Sequence, residues 1–236
     1  MEKGIRERRV KVKIIFLESS IELVPKDILG ELDVVRSAQR YGVDPREMLL
    51  DKSLHYRAMS RLPFKWKRGR PDILHVALLT ALDSPLVEKG ILDVYFHTVE
   101  DRIFRVDPVT RIPKSYERFR GLMAQLLRIG HVPPGANNPL IYELGIKIED
   151  LLDDGSERIL LWEDGKLIGV HELASLIVTR SVWIGIGAFP KGDFSKRILS
   201  LFPKENRYSI GRGRQFTAWG TVSRVLCGVE QKYGLI

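Results

Sequence analysis

The C-terminal half of the chain alternates short apolar runs with longer amphipathic runs, and this alternation constrains the fold more than any other feature. Apolar runs predict strands at 158–162 and 182–186, and helical spacing predicts helices at 170–178 and 217–230. Parallel strands must be joined by crossover connections, which are usually helices. The alternation therefore predicts an α/β fold with a mostly parallel sheet and helices on both faces.

The N-terminal half extends this pattern. Further strands are predicted at 10–17, 91–96 and 103–106, and further helices at 26–41 and 116–127. Another helix is expected to begin at Pro71, because the fixed φ angle of proline suits the first helical position, and to end at Asp83. Gly42 is a stop signal for the helix that precedes it.

Positive charge is concentrated in the first 130 residues. The chain has 38 Lys and Arg against 30 Asp and Glu, a formal net charge of +8. Residues 1–130 hold 25 of the bases and 18 of the acids. A local basic excess of this kind suits a polyanionic partner such as a nucleic acid. A general contribution to solubility explains the net charge equally well, so charge alone does not identify the partner.

The cysteine count and the hydropathy pattern bear on the cellular compartment. Cys227 is the single cysteine, so no intrachain disulfide can form, and its apolar helical surroundings predict a buried structural thiol. No apolar run reaches the roughly 18 residues of a membrane span. Residues 1–13 lack the apolar core of a signal peptide. We therefore expect a cytoplasmic protein with no membrane partner.

No pattern in the sequence indicates hydrolysis or metal catalysis. The histidines show no metal-ligand spacing, and a Gly-x-Ser-x-Gly elbow is absent. His75 lies in the helix that begins at Pro71, where burial is its expected role, and the acidic run 149–154 is expected to be a solvated helix end. We therefore predict no metal site.

A glycine-bearing loop follows the apolar strand at 182–186. Gly187 and Gly192 would let backbone groups approach a ligand closely, and ligands of open α/β sheets bind beyond the carboxyl ends of the strands. The loop is not a dinucleotide fingerprint, because Pro190 stands where the third glycine belongs, and no Gly-Lys-Ser/Thr follows as in a P-loop. On the pattern alone, a tight strand-to-helix turn is the better explanation of this loop.

Two basic segments, 61–70 and 111–128, suit contacts with phosphates. Arg111, Lys114 and Arg118 are spaced by three and four residues and would share one face if the helix extended back to Arg111. A solvated helix face is the alternative interpretation. Asp72 follows Arg70 at a predicted helix start, where the helix dipole favours an acid. Asp72 is therefore explained either by the helix start alone or by holding the Arg70 guanidinium toward a ligand.

Three longer strings are more distinctive than these separate features. They are GRPDILH followed by LLTALDSPL within 69–86, VTRIPK at 109–114 with the positions that follow it up to 127, and IGAFPKGDF at 186–194. Together they resemble the EMG/NEP family of ribosome-biogenesis methyltransferases, within the SPOUT superfamily. The resemblance covers nearly the whole chain.

The resemblance implies a fold, an activity and partners. It implies a single SPOUT domain over 1–236, compatible with a family-specific insertion around 42–68, a deep C-terminal trefoil knot, and a homodimer. The implied activity is S-adenosylmethionine-dependent methylation at N1 of a pseudouridine in small-subunit rRNA during ribosome biogenesis, alongside other assembly factors. Two alternatives stay open: an assembly factor that binds pre-rRNA without chemistry, and a SPOUT methyltransferase that acts on tRNA.

The resemblance also implies site residues. Carried over by motif, the RNA contacts are Arg70, Arg111, Lys114 and Arg118, and the predicted catalytic residues are Arg70 and Asp72, with Asp72 orienting Arg70. The predicted cofactor-binding residues are Leu161, Gly187, Gly192, Gly211, Arg212, Gly213, Arg214, Gln215 and Phe216. No general base is assigned, because an Asp already paired with Arg is a poor base.

The chain departs from the family pattern at two places. Lys114 stands where family members often have Arg, which keeps the charge and loses bidentate geometry. The segment 214–218 reads Arg-Gln-Phe-Thr-Ala in place of an aromatic-Pro-Leu-Ser/Thr-Ala pattern. Adenine contacts in this segment are therefore expected to come from the backbone.

Overall fold

A computed structural model describes residues 10–211 and 214–236. Eight strands lie in one sheet within these residues. They are β1 (Val12–Ser19), β2 (Leu92–Thr98), β3 (Ile103–Val106), β4 (His131–Val132), β5 (Ile141–Glu143), β6 (Glu157–Leu167), β7 (Val182–Gly187) and β8 (Arg207–Ser209). Every strand predicted from the apolar runs is present, within a few residues at its ends apart from the longer β6.

The sheet has a parallel centre and an antiparallel edge. Its strand order is β4-β5-β3-β2-β1-β7-β6-β8. The pairs from β2 through β8 are parallel, and β3, β5 and β4 add antiparallel pairs on the other side. Ile14 of β1 lies opposite Val94 on one side and Ile184 on the other. The sequence-distant strands β1 and β7 are therefore neighbours at the centre.

Nine α-helices connect these strands in the described part of the chain. They are α1 (Leu32–Tyr41), α2 (Lys52–His55), α3 (Pro71–Leu82), α4 (Pro85–Glu88), α5 (Tyr116–Ile129), α6 (Ile148–Leu152), α7 (Val170–Ile177), α8 (Lys196–Leu201) and α9 (Ala218–Lys232). Short 3-10 turns are found at Lys26–Ile28, Pro45–Glu47, Ala58–Arg61, Lys65–Lys67 and Lys204–Asn206.

Helices cover both faces of the sheet, as predicted. Along β1, Ile14 and Phe16 face one core and Ile15 and Leu17 face the other, since successive side chains of a strand point to opposite faces. The helices α3, α5, α7 and α9 pack on the first core, and the shorter α6 and α8 pack on the second. The predicted α/β class with a mostly parallel sheet is confirmed.

A third, smaller core lies in the segment that follows β1. Its buried side chains run from Val24 to Leu62 and include members of α1 and of the 3-10 turn at Ala58–Arg61. This segment lies between β1 and α3 in the chain and overlaps the expected insertion at 42–68. The single domain, the insertion boundaries and the trefoil knot stay predictions.

Two local predictions are wrong. The helix expected at 26–41 is a 3-10 turn followed by α1, because the chain turns at Gly30 and is extended at Glu31 before the helix begins. Cys227 is exposed on α9, although its neighbours Leu226 and Gly228 are buried, because a helix turns each successive residue by about 100°.

Candidate functional site

A cleft of about 580 Å³ opens beyond the carboxyl ends of β7 and β8, beside β6. Its lining comes from three separate stretches, 161–164, 186–194 and 208–221. Among the predicted cofactor residues it contains Leu161, Gly187, Gly192, Gly211, Arg214, Gln215 and Phe216. Arg212 and Gly213 lie outside the described residues. The fold thus gathers side chains that are more than 50 positions apart at the sheet edge where ligands of α/β proteins bind.

At three positions that line this cleft, close neighbours or the backbone conformation require glycine. A Cβ on Gly187 would lie 2.9 Å from the ring of Phe189, and one on Gly211 would overlap the carbonyl oxygen of Arg214. Gly192 has φ +99, a backbone conformation that other residues rarely adopt. The cleft would be narrowed or its walls displaced by any larger residue at these three positions.

The loop at 187–194 is fixed by an acidic residue. The Oδ1 atom of Asp193 accepts a hydrogen bond from Trp162 Nε1 at 2.7 Å and another from the backbone N–H of Phe194 at 2.7 Å. These bonds hold the loop against β6. Glu163, Asp164 and Asp193 give the cleft an acidic side, and Ile186 and Phe216 give it an apolar side.

The Arg70 and Asp72 side chains form a bidentate ion pair at the start of α3. Arg70 Nε and Nη2 each donate to one carboxylate oxygen of Asp72 at 2.7 Å. This hydrogen bonding raises the pKa of Arg70, so the guanidinium stays charged. The Arg70 side chain is 39% exposed, and one edge of the guanidinium is therefore held by Asp72 while the rest is open to a ligand.

Ser20 joins Arg70 to the glycine loop. The backbone N–H of Arg70 donates to Ser20 Oγ at 2.9 Å, and the backbone N–H of Ser20 donates to the carbonyl of Ala188 at 2.9 Å. Ser20 directly follows β1, which is paired with β7. Two successive hydrogen bonds through Ser20 therefore connect Arg70 to the loop that lines the cleft.

Most bases of the segment 61–70 are used in internal ion pairs. Lys67 Nζ contacts Glu18 Oε2 at 2.5 Å and donates to the carbonyl of Asp193 at 2.6 Å. Arg68 pairs with the buried Glu22 at 2.5 Å, and Arg61 pairs with Glu31. The first basic segment is therefore chiefly a clamp on the body of the protein, and less a free phosphate-binding surface than its composition suggested.

Three bases at the start of the second basic segment are exposed, whereas Arg120 and Arg128 pair with Asp51 and Glu47. Arg111 and Lys114 lie in the loop that precedes α5, and Arg118 lies in its first turn, so they do not form a helical row. Ser115 caps the helix, and Pro113 keeps the loop outside it. Among the described residues, none of these three bases forms an ion pair. Their charges are available to a polyanion.

His75 brings this basic loop to Arg70. The ring of His75 is buried on α3, its Nε2 lies 2.7 Å from the carbonyl oxygen of Pro113, and it stacks on Phe119 of α5 at 4.3 Å. Burial was the predicted state of His75, and its bridging contact was not foreseen. Neither Ser20 nor Lys67 was predicted as part of the site, because a serine after a strand and a lysine in a basic run carry no distinguishing pattern.

The described residues also set limits on the kind of site. They contain no group of three or more His, Cys, Asp or Glu side chains arranged to hold a metal ion. No helix among them is long and apolar enough to cross a bilayer. The fold and the cleft define an α/β protein whose candidate ligand site lies at the carboxyl edge of a parallel sheet, two hydrogen bonds from a charged arginine.

Comparison with known proteins identifies the family. The model of the EMG1/NEP1 methyltransferase family matches residues 14–230. Ribosomal RNA small subunit methyltransferase Nep1 of Aeropyrum pernix is 45% identical over 220 residues, which cover 93% of this chain and 97% of that protein. The Staphylothermus marinus protein of the same name is 46% identical, with 95% and 97% covered.

A solved structure shows the same fold. The crystal structure of Archaeoglobus fulgidus Nep1 bound to S-adenosylhomocysteine has a TM-score of 0.86 and 37% identity, and the match covers 95% of this chain and 100% of that chain. The chain therefore belongs to the EMG1/NEP1 methyltransferase family, as the three sequence strings indicated.

Proposed function

We propose that this protein transfers a methyl group from S-adenosylmethionine to small-subunit rRNA, at N1 of a pseudouridine. The observation that carries the proposal is the pair of hydrogen bonds through Ser20, because it places an ionised arginine next to a glycine-lined cleft. The Nep1 relatives are named as small-subunit rRNA methyltransferases, and the Archaeoglobus protein binds S-adenosylhomocysteine. These names support both the cofactor and the class of RNA.

The cleft suits S-adenosylmethionine in size and chemistry. Its volume lies in the range of small-molecule sites. Ile186 offers apolar contact for an adenine ring, and acidic groups such as Asp193 suit ribose hydroxyls and positive charge. Gly187 and Gly211 leave room for backbone contacts. When bound there, the cofactor supplies an electrophilic methyl group carried by a sulfonium.

Arg70 has the central role in the proposed mechanism. The target base is flipped out of its RNA loop and held beside the cleft, so that positioning of N1 contributes much of the rate. Loss of the N1 proton to solvent leaves negative charge on the base, and the fixed guanidinium of Arg70 stabilises that charge. Asp72 fixes the orientation of Arg70, and Arg111, Lys114 and Arg118 hold the RNA backbone.

The test is methyl transfer by the variant Arg70→Ala. We expect a loss of roughly 100-fold or more in rate, the scale of removing one charge-stabilising group, with unchanged binding of S-adenosylhomocysteine in calorimetry. The matched control is Arg180→Ala, because Arg180 also forms a partly exposed ion pair, with Glu157, but before the amino end of β7. Full activity of Arg70→Ala would contradict the assigned role.

The RNA class is tested by comparing substrates. A pseudouridine-containing small-subunit rRNA hairpin, the same hairpin with uridine, and tRNA are offered with labelled S-adenosylmethionine. We expect transfer only to the first. Transfer to tRNA would favour the alternative SPOUT activity. Binding of the hairpin without any uptake of S-adenosylmethionine would favour an assembly factor without chemistry.

The remaining proposals rest on the family resemblance. They are a homodimer, contact with other ribosome assembly factors, and a single knotted domain with an insertion around 42–68; the proposed cytoplasmic location rests instead on the cysteine count and the hydropathy pattern. Sedimentation equilibrium of the purified chain decides the first, since the mass of a protomer is 27.0 kDa.

A further inference from the structure

Two aromatic side chains stand exposed at the rim of the cleft. Phe64 is 66% exposed and Trp66 is 50% exposed, and their rings meet edge to face with centroids 5.6 Å apart. Large aromatic rings are normally buried, and an exposed pair of them is typical of a surface that binds a partner or ligand. Neither residue has a part in the mechanism described above.

The backbone at Phe64 is strained. Its φ and ψ angles are +51° and +30°, in the left-handed region that a bulky residue rarely adopts. Gly would adopt this conformation without strain. The chain therefore holds an aromatic ring at the surface where the backbone would favour glycine, and folding does not explain it.

Trp66 lies beside the glycine loop at 187–194. A Cβ on Gly192 would lie 3.3 Å from Trp66 Nε1, so the indole lies directly against a residue that lines the cleft. Lys67, the next residue, is bonded to Glu18 and to the carbonyl of Asp193, and its ammonium lies 4.1 Å from the ring centre of Phe189. The segment 66–70 therefore runs along the loop 188–193, from Trp66 to Arg70.

From this placement we propose that Phe64 and Trp66 form a stacking platform for an unpaired RNA base next to the target nucleotide. A flipped nucleotide leaves its neighbours unstacked, and an indole face at the rim of the pocket can receive one of them. Lys65 and Lys191 are exposed beside the pair and suit the flanking phosphates. This platform rests on the proposed function, since it assigns a second contact to the same RNA.

The test uses Trp66→Ala and Trp66→Phe with hairpins that carry 2-aminopurine on one or the other side of the pseudouridine. We expect Trp66→Ala to weaken RNA affinity by about 5- to 150-fold, which corresponds to ~1–3 kcal/mol for one base–aromatic stack. It should also abolish the quenching of one of the two 2-aminopurine probes. Trp66→Phe should retain most of the RNA affinity and most of the quenching. Neither variant should change the affinity for S-adenosylhomocysteine.

Phe64→Gly separates a functional role from a structural one. Because Gly relieves the strained backbone while removing the ring, we expect an unchanged or higher melting temperature together with weaker RNA binding. Leu32→Ala is the control, since Leu32 is 59% exposed and lines no part of the cleft. A melting temperature lowered by Phe64→Gly, with RNA affinity unchanged, would contradict the proposal.

The outcomes for the platform and for the activity are distinct. If wild type and Trp66→Ala quench each 2-aminopurine probe to the same extent, the platform is overturned, even if methyl transfer is observed. Loss of S-adenosylhomocysteine binding by Trp66→Ala also overturns it, because the indole would then belong to the donor site. If wild type binds the hairpin and quenches one probe through Trp66 but transfers no methyl group, the platform stands and the proposed activity fails.

Discussion

Among single residues, glycines decide what the cleft can hold. Arg214 N–H donates to the carbonyl of Gly211 at 2.9 Å, which brings together the two described residues that flank 212–213. A side chain on Gly211 has no space beside this bond. Gly187 and Gly192 act similarly on the other wall, with aromatic rings as their neighbours. The sequence pattern around Gly187 and Gly192 was ambiguous, and these contacts explain why glycine is needed there.

The first prediction concerns Gly211→Ala. We expect the variant to bind S-adenosylhomocysteine at least about tenfold more weakly, because the Cβ would collide with backbone and not with a movable side chain. The measurement is isothermal titration calorimetry. Gly30→Ala is the control, since a Cβ there meets nothing within 4 Å and its φ is not positive. Equal affinity in both variants would show that the Arg214 backbone can yield.

Among the elements, the contact between α2 and α5 fixes the exposed basic loop. Asp51 is buried, caps α2, and accepts a hydrogen bond from the hydroxyl of Tyr116, the first residue of α5, at 2.7 Å. Burial and the neighbouring Asp51 raise the pKa of Tyr116, so the hydroxyl remains a donor. Gly69, just before Arg70, accepts a bond from Lys52 N–H of α2 at 2.8 Å. The third core, Arg70 and the basic loop are thus joined.

The second prediction is that Tyr116→Phe lowers the free energy of unfolding by about 1–3 kcal/mol. Removing the hydroxyl leaves the buried Asp51 oxygen with only the Arg120 guanidinium, 3.7 Å away. Urea denaturation measures the change. Tyr56→Phe is the matched control, because Tyr56 is 68% exposed, and we expect it to change stability by less than ~0.5 kcal/mol. A stable Tyr116→Phe protein would mean that water replaces the hydroxyl.

Across the whole molecule, two buried histidines link stability to pH. His97 lies between β1 and the β2–β3 turn: its Nδ1 accepts the backbone N–H of Glu18, and its Nε2 lies 2.8 Å from Asp101. Burial lowers the pKa of His97 despite the nearby acids, with Arg197 acting in the same direction. Burial likewise lowers the pKa of His55. The nearby Asp51 and Asp33 act to raise this pKa, and Arg120 acts to lower it further.

The third prediction follows from the sign of these shifts. Below about pH 6.5 the unfolded chain takes up protons that the native histidines resist, so the stability they contribute is full above that pH and is lost as pH falls toward the native pKa values. We expect the free energy of unfolding to decrease by up to ~1.4 kcal/mol per pH unit for each histidine. Denaturation at about pH 7.5 and about pH 5.5 measures this slope.

His97→Asn should reduce the pH slope, since an amide can accept from Glu18 without titrating. The control is His171→Asn, because His171 is exposed on α7. An unchanged slope in His97→Asn would show that other groups carry the acid sensitivity.

The sequence by itself determined the fold class, the order of the main strands and helices, and the family. Apolar periodicity is a local property, so α3, β3 and β7 were predicted nearly to the residue. Short elements such as α8 and β8 were missed, because six and three residues hold too little pattern, and tertiary contacts decide them.

Only the tertiary structure decided how the site is assembled. Sheet order placed β1 beside β7 and so put Ser20 between Arg70 and Ala188, residues that are more than 100 positions apart. It also paired Lys67 with Glu18 and left Trp66 at the cleft rim, which divided one basic run into a clamp and an exposed surface. Strand pairing between distant parts of the chain determines spatial neighbours of this kind, and local residue patterns do not predict them.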